Sequence, residues 1–177
     1  MLSRDTGVPG YAQRYGTNPY AGYDGRMAPI EGFYQGTSDS RLPAMERVAA
    51  VRIGDERIAY PFSRLQASPV LQDEVDGRPI VVFWVPETSS ALDAPLVAEG
   101  RAVGSAAVFE RTLNGTRLDF EPAGEDRFRD RTTGSVWDVT GRAIEGEMAG
   151  SRLTALPVVE AFWFAWAVFE PTTRIGG

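Results

Sequence analysis

Glu87, Thr88, Ser89, Ser90 and Asp93 crowd one short stretch, FWVPETSSALD, that starts apolar at Phe83 and Trp84 and breaks at Pro86. Two carboxylates flanking a loop of hydroxyls could serve as general acid and base, with Asp73 close by in sequence as a third candidate. The same residue types also suit a capped turn, because Ser and Thr side chains satisfy free backbone N–H groups at the start of a segment. The Ser/Thr run favours the cap, and one sequence cannot show that the carboxylates converge.

Most other chemistries are excluded. The 177 residues contain no Cys and no His, and all 18 basic residues are Arg. Thiolate nucleophiles, Ser-His-Asp triads, Schiff-base lysines and His- or Cys-ligated zinc are therefore closed to this chain. Only carboxylates, hydroxyls, Tyr and Arg remain. The formal net charge of −6 argues against a nucleic-acid partner and against adhesion to anionic membranes. No stretch has the alternating ligand spacing of a calcium loop, and no cofactor is expected.

The elements that must position these groups read mostly as strands. ERVAAVRI and RIAYPF flank Gly54-Asp55, and VLQDEV and PIVVFWV flank Asp76-Gly77, as two hairpins. SRLQASP between them reads as a short helical turn. Ile80 to Val85 is apolar at consecutive positions, which predicts a central strand covered on both faces. SAAVFERTL and TRLDFEP around Asn114-Gly115 form the clearest hairpin signal. DRFRDR and SVWDVT follow as strands, with Arg127, Arg129 and Arg131 on one solvated, ion-paired edge. Gly141, Gly146 and Gly150 punctuate the next segment into turns.

The ends differ in character. Residues 1–45 hold five of the six tyrosines among frequent Gly and Pro, which predicts an irregular arm packed on a single mostly-β domain of residues 46–177. An aromatic surface for a sugar or a partner is the functional alternative for that arm. The start, MLSRDTGVPG, has neither the basic nor the apolar region of a signal peptide. Near the other end, Pro157 precedes VVEAFWFAWAVF and Pro171 follows it, which predicts one apolar helix with Glu160 near its start. Trp163 and Trp166 then belong either to the core or, with Phe162 and Phe169, to an interface with a protein partner or a second copy. The run is too short to span a membrane. Trp137 reads as a core residue or as a stacking platform. The fold class is α+β, mostly β: antiparallel hairpins in a sheet or open barrel, one apolar C-terminal helix and the irregular arm.

AYP at 59–61, DEVDGRPIVVFWVP at 73–86 and TGSVWDVTGRAIEGEMAGSRLTALP at 133–157 together resemble the domain-of-unknown-function family DUF3179. SRDTG, YGTNPYAGYD and FWFAWAVFEPTTRI are similar to one bacterial and archaeal branch of it. Many members of the family carry a Cys-Pro-x-Cys motif at the end of the central strand and a His before the preceding strand. The resemblance implies a soft-metal or redox site there. In this chain it puts Val85 and Thr88 at the cysteine positions around Pro86, and Ser68 near the histidine position, so the loop keeps its shape without those ligands. The resemblance also implies an extracytoplasmic location, with a signal or anchor ahead of the domain. The expected function is a non-catalytic binding or assembly domain with a degenerate thiol site. A carboxylate hydrolase on a saccharide-like substrate, using Glu87, Asp93 and Asp73, is the alternative. The candidate ligand loop comprises Trp84, Glu87, Thr88, Ser89, Ser90 and Asp93, with Asp73 and Trp137 beside it.

Overall fold

The computed structural model describes residues 18, 20–32, 34, 36 and 39–177. Tyr11 and Tyr15 of the arm lie outside them. The first hairpin pairs β1 (Arg47–Ile53) with β2 (Glu56–Pro61), and α1 (Phe62–Ala67) follows directly. The second pairs β3 (Val70–Val75) with β4 (Arg78–Val85). Its turn residues Asp76 and Gly77 both have positive φ, 50° and 70°, as a primed turn requires. The remaining strands are β5 (Ser105–Glu110), β6 (Thr112–Leu113), β7 (Thr116–Arg117), β8 (Phe120–Pro122), β9 (Arg127–Asp130), β10 (Val136–Asp138), β11 (Ala143–Glu145), β12 (Ala155–Leu156) and β13 (Val158–Phe162). Helix α2 (Trp163–Phe169) and β14 (Arg174–Ile175) complete the chain.

These strands form three four-stranded sheets, ordered β13-β1-β2-β14, β12-β5-β4-β3 and β11-β10-β9-β8, and a β6-β7 ribbon. Among the described residues no sheet closes into a barrel. The sheets stack as layers because their side chains alternate between faces. Val48, Ala50 and Ala59 face α2, where Trp163 and Trp166 are buried. Ala49, Val51 and Tyr60 face the middle sheet, where they meet Ile80, Val82 and Trp84. From the other face of β4, Val81, Phe83 and Val85 meet Phe120, Phe128 and Trp137 of the third sheet. The consecutive apolar run of β4 is thus covered on both faces, as its sequence predicts.

Three local expectations need correction. The C-terminal helix is half its expected length, because Val158–Phe162 pairs with β1 as a strand, Val51 opposite Val158 and Arg47 opposite Phe162. Two β-branched residues beside an open strand edge override the helical signal of Pro157. Glu160 consequently lies in a strand, ion-paired with Arg47 at 3.3 Å, and accepts a hydrogen bond from the Ala106 N–H at 3.0 Å. The Asn114-Gly115 turn forms, with φ of 50° and 80°, but its ribbon has two residue pairs only. Beyond it β5 joins the middle sheet and β8 the third. Strand β9 is interior to its sheet, so Arg127 and Arg129 lie on an exposed face and not on an edge.

Asp130 turns inward from β9, fully buried. It accepts hydrogen bonds from the N–H groups of Asp119, Thr132 and Thr133 and from the Thr133 hydroxyl. Those donors satisfy the buried carboxylate and shape the turn that carries the Thr-Gly-Ser-x-Trp segment.

The candidate site at the end of the central strand

Strand β4 ends at Val85, and the chain beyond it doubles back. Ser90 N–H donates to the Arg101 carbonyl at 2.9 Å and Val103 N–H to the Thr88 carbonyl at 2.8 Å, so residues 88–90 run beside 101–103. The sequence-derived loop residues separate here. Glu87 is exposed and makes no hydrogen bond or ion pair to a described residue. Thr88 and Ser89 contribute backbone to this ribbon. Ser90 is buried, and its hydroxyl donates a very short hydrogen bond to Asp24 Oδ2. Asp93 accepts from the Arg101 N–H at 2.8 Å and faces its guanidinium at 3.5 Å.

Asp24 comes from the arm. Its segment is held to the loop by the Gly22 N–H on the Asp93 carbonyl (2.8 Å) and the Tyr23 N–H on the Leu92 carbonyl (3.0 Å). The Asn18 side chain adds bonds to the Ala91 and Ala94 carbonyls. Tyr23 packs edge-on against Phe162, centroids 5.8 Å apart, and Tyr34 packs at a tilt against Phe164 at 5.3 Å. The Asp24 side chain is only 1% exposed, and Arg101 reaches its Oδ2 at 3.3 Å. No donor among the described residues reaches Asp24 Oδ1, which is also buried. An unpaired buried carboxylate oxygen is costly, so this atom marks an incomplete arrangement.

Asp24 and Arg101 border a cavity of about 530 Å³, within the range of small-molecule sites. Trp84 and Pro86 line it as well, so the stretch singled out in the sequence does border the cavity. The lining also includes Met45, Phe62 and α1 at Ser63 and Gln66. Arg47 lies over the Phe62 ring, 5.1 Å from its centroid. Glu46 accepts the Ser63 N–H at 2.9 Å, satisfying one of the free donors in the first turn of α1. Gly104 closes the cavity behind Trp84: a Cβ there would lie 2.4 Å from Trp84 Cζ2. The cavity thus carries two carboxylates, two guanidinium groups and two aromatic rings. Of its charged groups none was singled out from sequence. Asp24 lies in a segment without period, and Glu46, Arg47 and Arg101 look like ordinary surface charges.

Asp73 and Trp137 lie elsewhere. Asp73 pairs with Ile80, five residues back along β4 from Val85, which is roughly 16 Å at strand rise. It accepts the Tyr60 hydroxyl at 3.0 Å and Arg174 at 3.1 Å. Trp137 is fully buried and meets Phe120 edge-on at 5.8 Å, so no ligand can stack on it. Glu87, Asp93 and Asp73 therefore do not form one acid–base set. Of the candidate interface, Trp163 and Trp166 face the core and Phe162 is covered by Tyr23, while Phe169 is 79% exposed.

Burial pushes the Tyr60 phenol well above its usual range, and the Asp73 carboxylate it donates to raises it further. The folded protein therefore keeps a proton that the unfolded chain releases above about pH 10. Stability from this group is fully present below that pH and is lost progressively above it. Tyr60→Phe is expected to flatten the alkaline fall in urea-unfolding free energy between about pH 9 and 11. Equal slopes in both proteins would show that the buried phenol does not govern it.

Of the positions that the family resemblance assigns to thiols and imidazole, Val85 and Ser68 lie beside each other. Trp84 N–H donates to the Pro69 carbonyl at 2.9 Å, extending the β3–β4 ladder and bringing residue 68 level with Val85. Val85 faces the third sheet whereas Trp84 faces the first, so that corner and the cavity lie on opposite faces of β4. Among the described residues no three His, Cys, Asp or Glu side chains group as metal ligands. No helix among them is long and apolar enough to cross a membrane. No curated protein and no solved structure matches the chain. A family model does match, over residues 1–173, and the chain belongs to that family, DUF3179, described as a protein of unknown function.

Proposed function

We propose that this chain is a non-catalytic, extracytoplasmic binding domain whose ligand occupies the cavity at the end of β4. The observation that carries this is the cavity itself: about 530 Å³, with Trp84 and Phe62 as apolar walls and charged groups converging from three separate segments. Its charges are poised for recognition more than for reaction. Asp24 is held by Ser90 and Arg101, Arg47 by Glu160, and Glu46 by the start of α1. The location outside the cytoplasm rests on the resemblance to the family. The thiol corner implied by the same resemblance is degenerate here, with Ser68, Val85 and Thr88 in place of ligands.

Native mass spectrometry of protein purified from its own source tests the reading, followed by thermal-shift screening with a broad small-molecule library. A co-purifying small molecule, or a saturable rise in Tm that Arg101→Ala abolishes, is the expected result. A bare chain that no compound stabilises would overturn it, and a second polypeptide in the spectrum would favour assembly instead.

A further inference from the structure

We infer that the cavity takes a neutral polyhydroxylated ligand, of the saccharide or polyol class; this rests on the binding reading above. The charges at the cavity balance, with Asp24 and Glu46 against Arg47 and Arg101. A net ionic ligand therefore gains no field from the site. Each guanidinium also has a carboxylate already in place: Arg101 has Asp24 at 3.3 Å and Asp93 at 3.5 Å, and Arg47 has Glu160 at 3.3 Å. An ionic ligand would have to displace one of these partners, leaving a carboxylate unpaired in the protein. A hydroxyl need displace nothing. It donates to a free carboxylate lone pair and accepts from a free guanidinium N–H within the same ion pair.

Among the described residues, two that line the cavity carry unpartnered buried atoms, Asp24 Oδ1 and Trp84 Nε1. Asp24 Oδ1 is buried beside the cavity and lacks a donor among the described residues. A hydroxyl of a seated ligand completes it once the Asp24 side chain shifts toward the cavity, because the atom is covered in the empty site. Ser63 and Gln66 add neutral donors and acceptors on the exposed rim. Trp84, Phe62 and Met45 supply apolar lining surface. A sugar ring, with C–H groups on its faces and hydroxyls around its edge, matches this division of polar and apolar surface.

The full chain is titrated by calorimetry with glucose, N-acetylglucosamine, maltose and trehalose, and with glycine, putrescine and inorganic phosphate as charged counterparts. At least one neutral sugar is expected to bind, with affinity unchanged between low and high ionic strength. Asp24→Asn is expected to weaken that binding about tenfold or more, since a hydrogen bond to a charged group is lost. Should Asp24→Asn loosen the arm, Gln66→Ala on the exposed rim gives a second reading, expected at a few-fold weakening. Glu87→Gln, outside the cavity, should leave affinity unchanged. Binding only of glycine or phosphate through Arg101, or of putrescine through Glu46, would overturn the sugar inference and leave the binding function standing. Failure of every probe, together with a bare native mass, would overturn both.

Discussion

Phe83→Ala is expected to lower the unfolding free energy by about 3–5 kcal/mol, the usual cost of removing a buried ring. Phe83 is fully buried at the middle of the central strand. It stacks on Phe128 with centroids 4.0 Å apart and planes within 2° of parallel. It also meets Phe120 at 5.1 Å and Phe109 at 5.6 Å. Phe109 shares its sheet, while Phe120 and Phe128 belong to the third sheet, so truncation opens a void between two layers. Both walls are sheets held by ladder hydrogen bonds, so they cannot collapse into it, and the cost falls at the upper end of that range. Since a domain holds only about 5–15 kcal/mol in total, urea unfolding should show a large loss of midpoint. A loss below about 1 kcal/mol would mean that the third sheet does not pack on β4 as described.

That central strand is also where the fold was most legible. Six consecutive apolar residues from Ile80 to Val85 can only be satisfied by cover on both faces, and the first and third sheets supply it. The turns at Gly54-Asp55 and Asp76-Gly77 were readable because Gly and Asp accept the positive φ that Gly54, Asp76 and Gly77 adopt. The C-terminal segment was not. Its apolar residues fit a buried helix or a buried strand equally well, and periodicity cannot separate the two. The edge of β1, available to Val158–Phe162, decided the matter, and that edge is a tertiary fact. The length of the Asn114-Gly115 ribbon was hidden for a related reason. The turn chemistry is local, but the departure of β5 and β8 to different sheets is not.

The site was half legible. Trp84 and Pro86 mark it, because a proline after an apolar run ends a strand and turns the chain out of the sheet. The hydroxyls and carboxylates of that loop drew attention for their types, yet they mostly hold the loop together. Ser90 and Asp93 work as anchors for Asp24 and Arg101. Asp24 was invisible because an arm without period gives no sign of where it docks. Asp73 looked close in sequence, but the hairpin carries it to the far end of β4. Sequence proximity to a loop fixes the position of a strand's end only, since each residue back along the strand moves about 3.3 Å away.

Gly104→Ala tests the cavity from its back wall, and the expected effect is again large. Gly104 is buried with φ of +74°, a conformation that strains any L side chain. Holding alanine there costs about 1–3 kcal/mol. A Cβ would also lie 2.4–2.6 Å from Cζ2, Cε2 and Nε1 of Trp84, so the indole must move. Overpacking of this kind adds about 1–3 kcal/mol, for a combined loss of roughly 2–6 kcal/mol. The direction of movement carries the functional consequence. Trp84 pairs through β5 with Ala106 on one side and is backed by the first sheet's core, so the indole yields toward the cavity. Binding should therefore fall by more than the loss of stability alone accounts for. Denaturation curves and sugar titrations on the same protein separate the two effects. A variant that is destabilised yet binds normally would place the ligand away from Trp84, and one that keeps full stability would show that a Cβ at position 104 has more room than 2.4 Å from the ring.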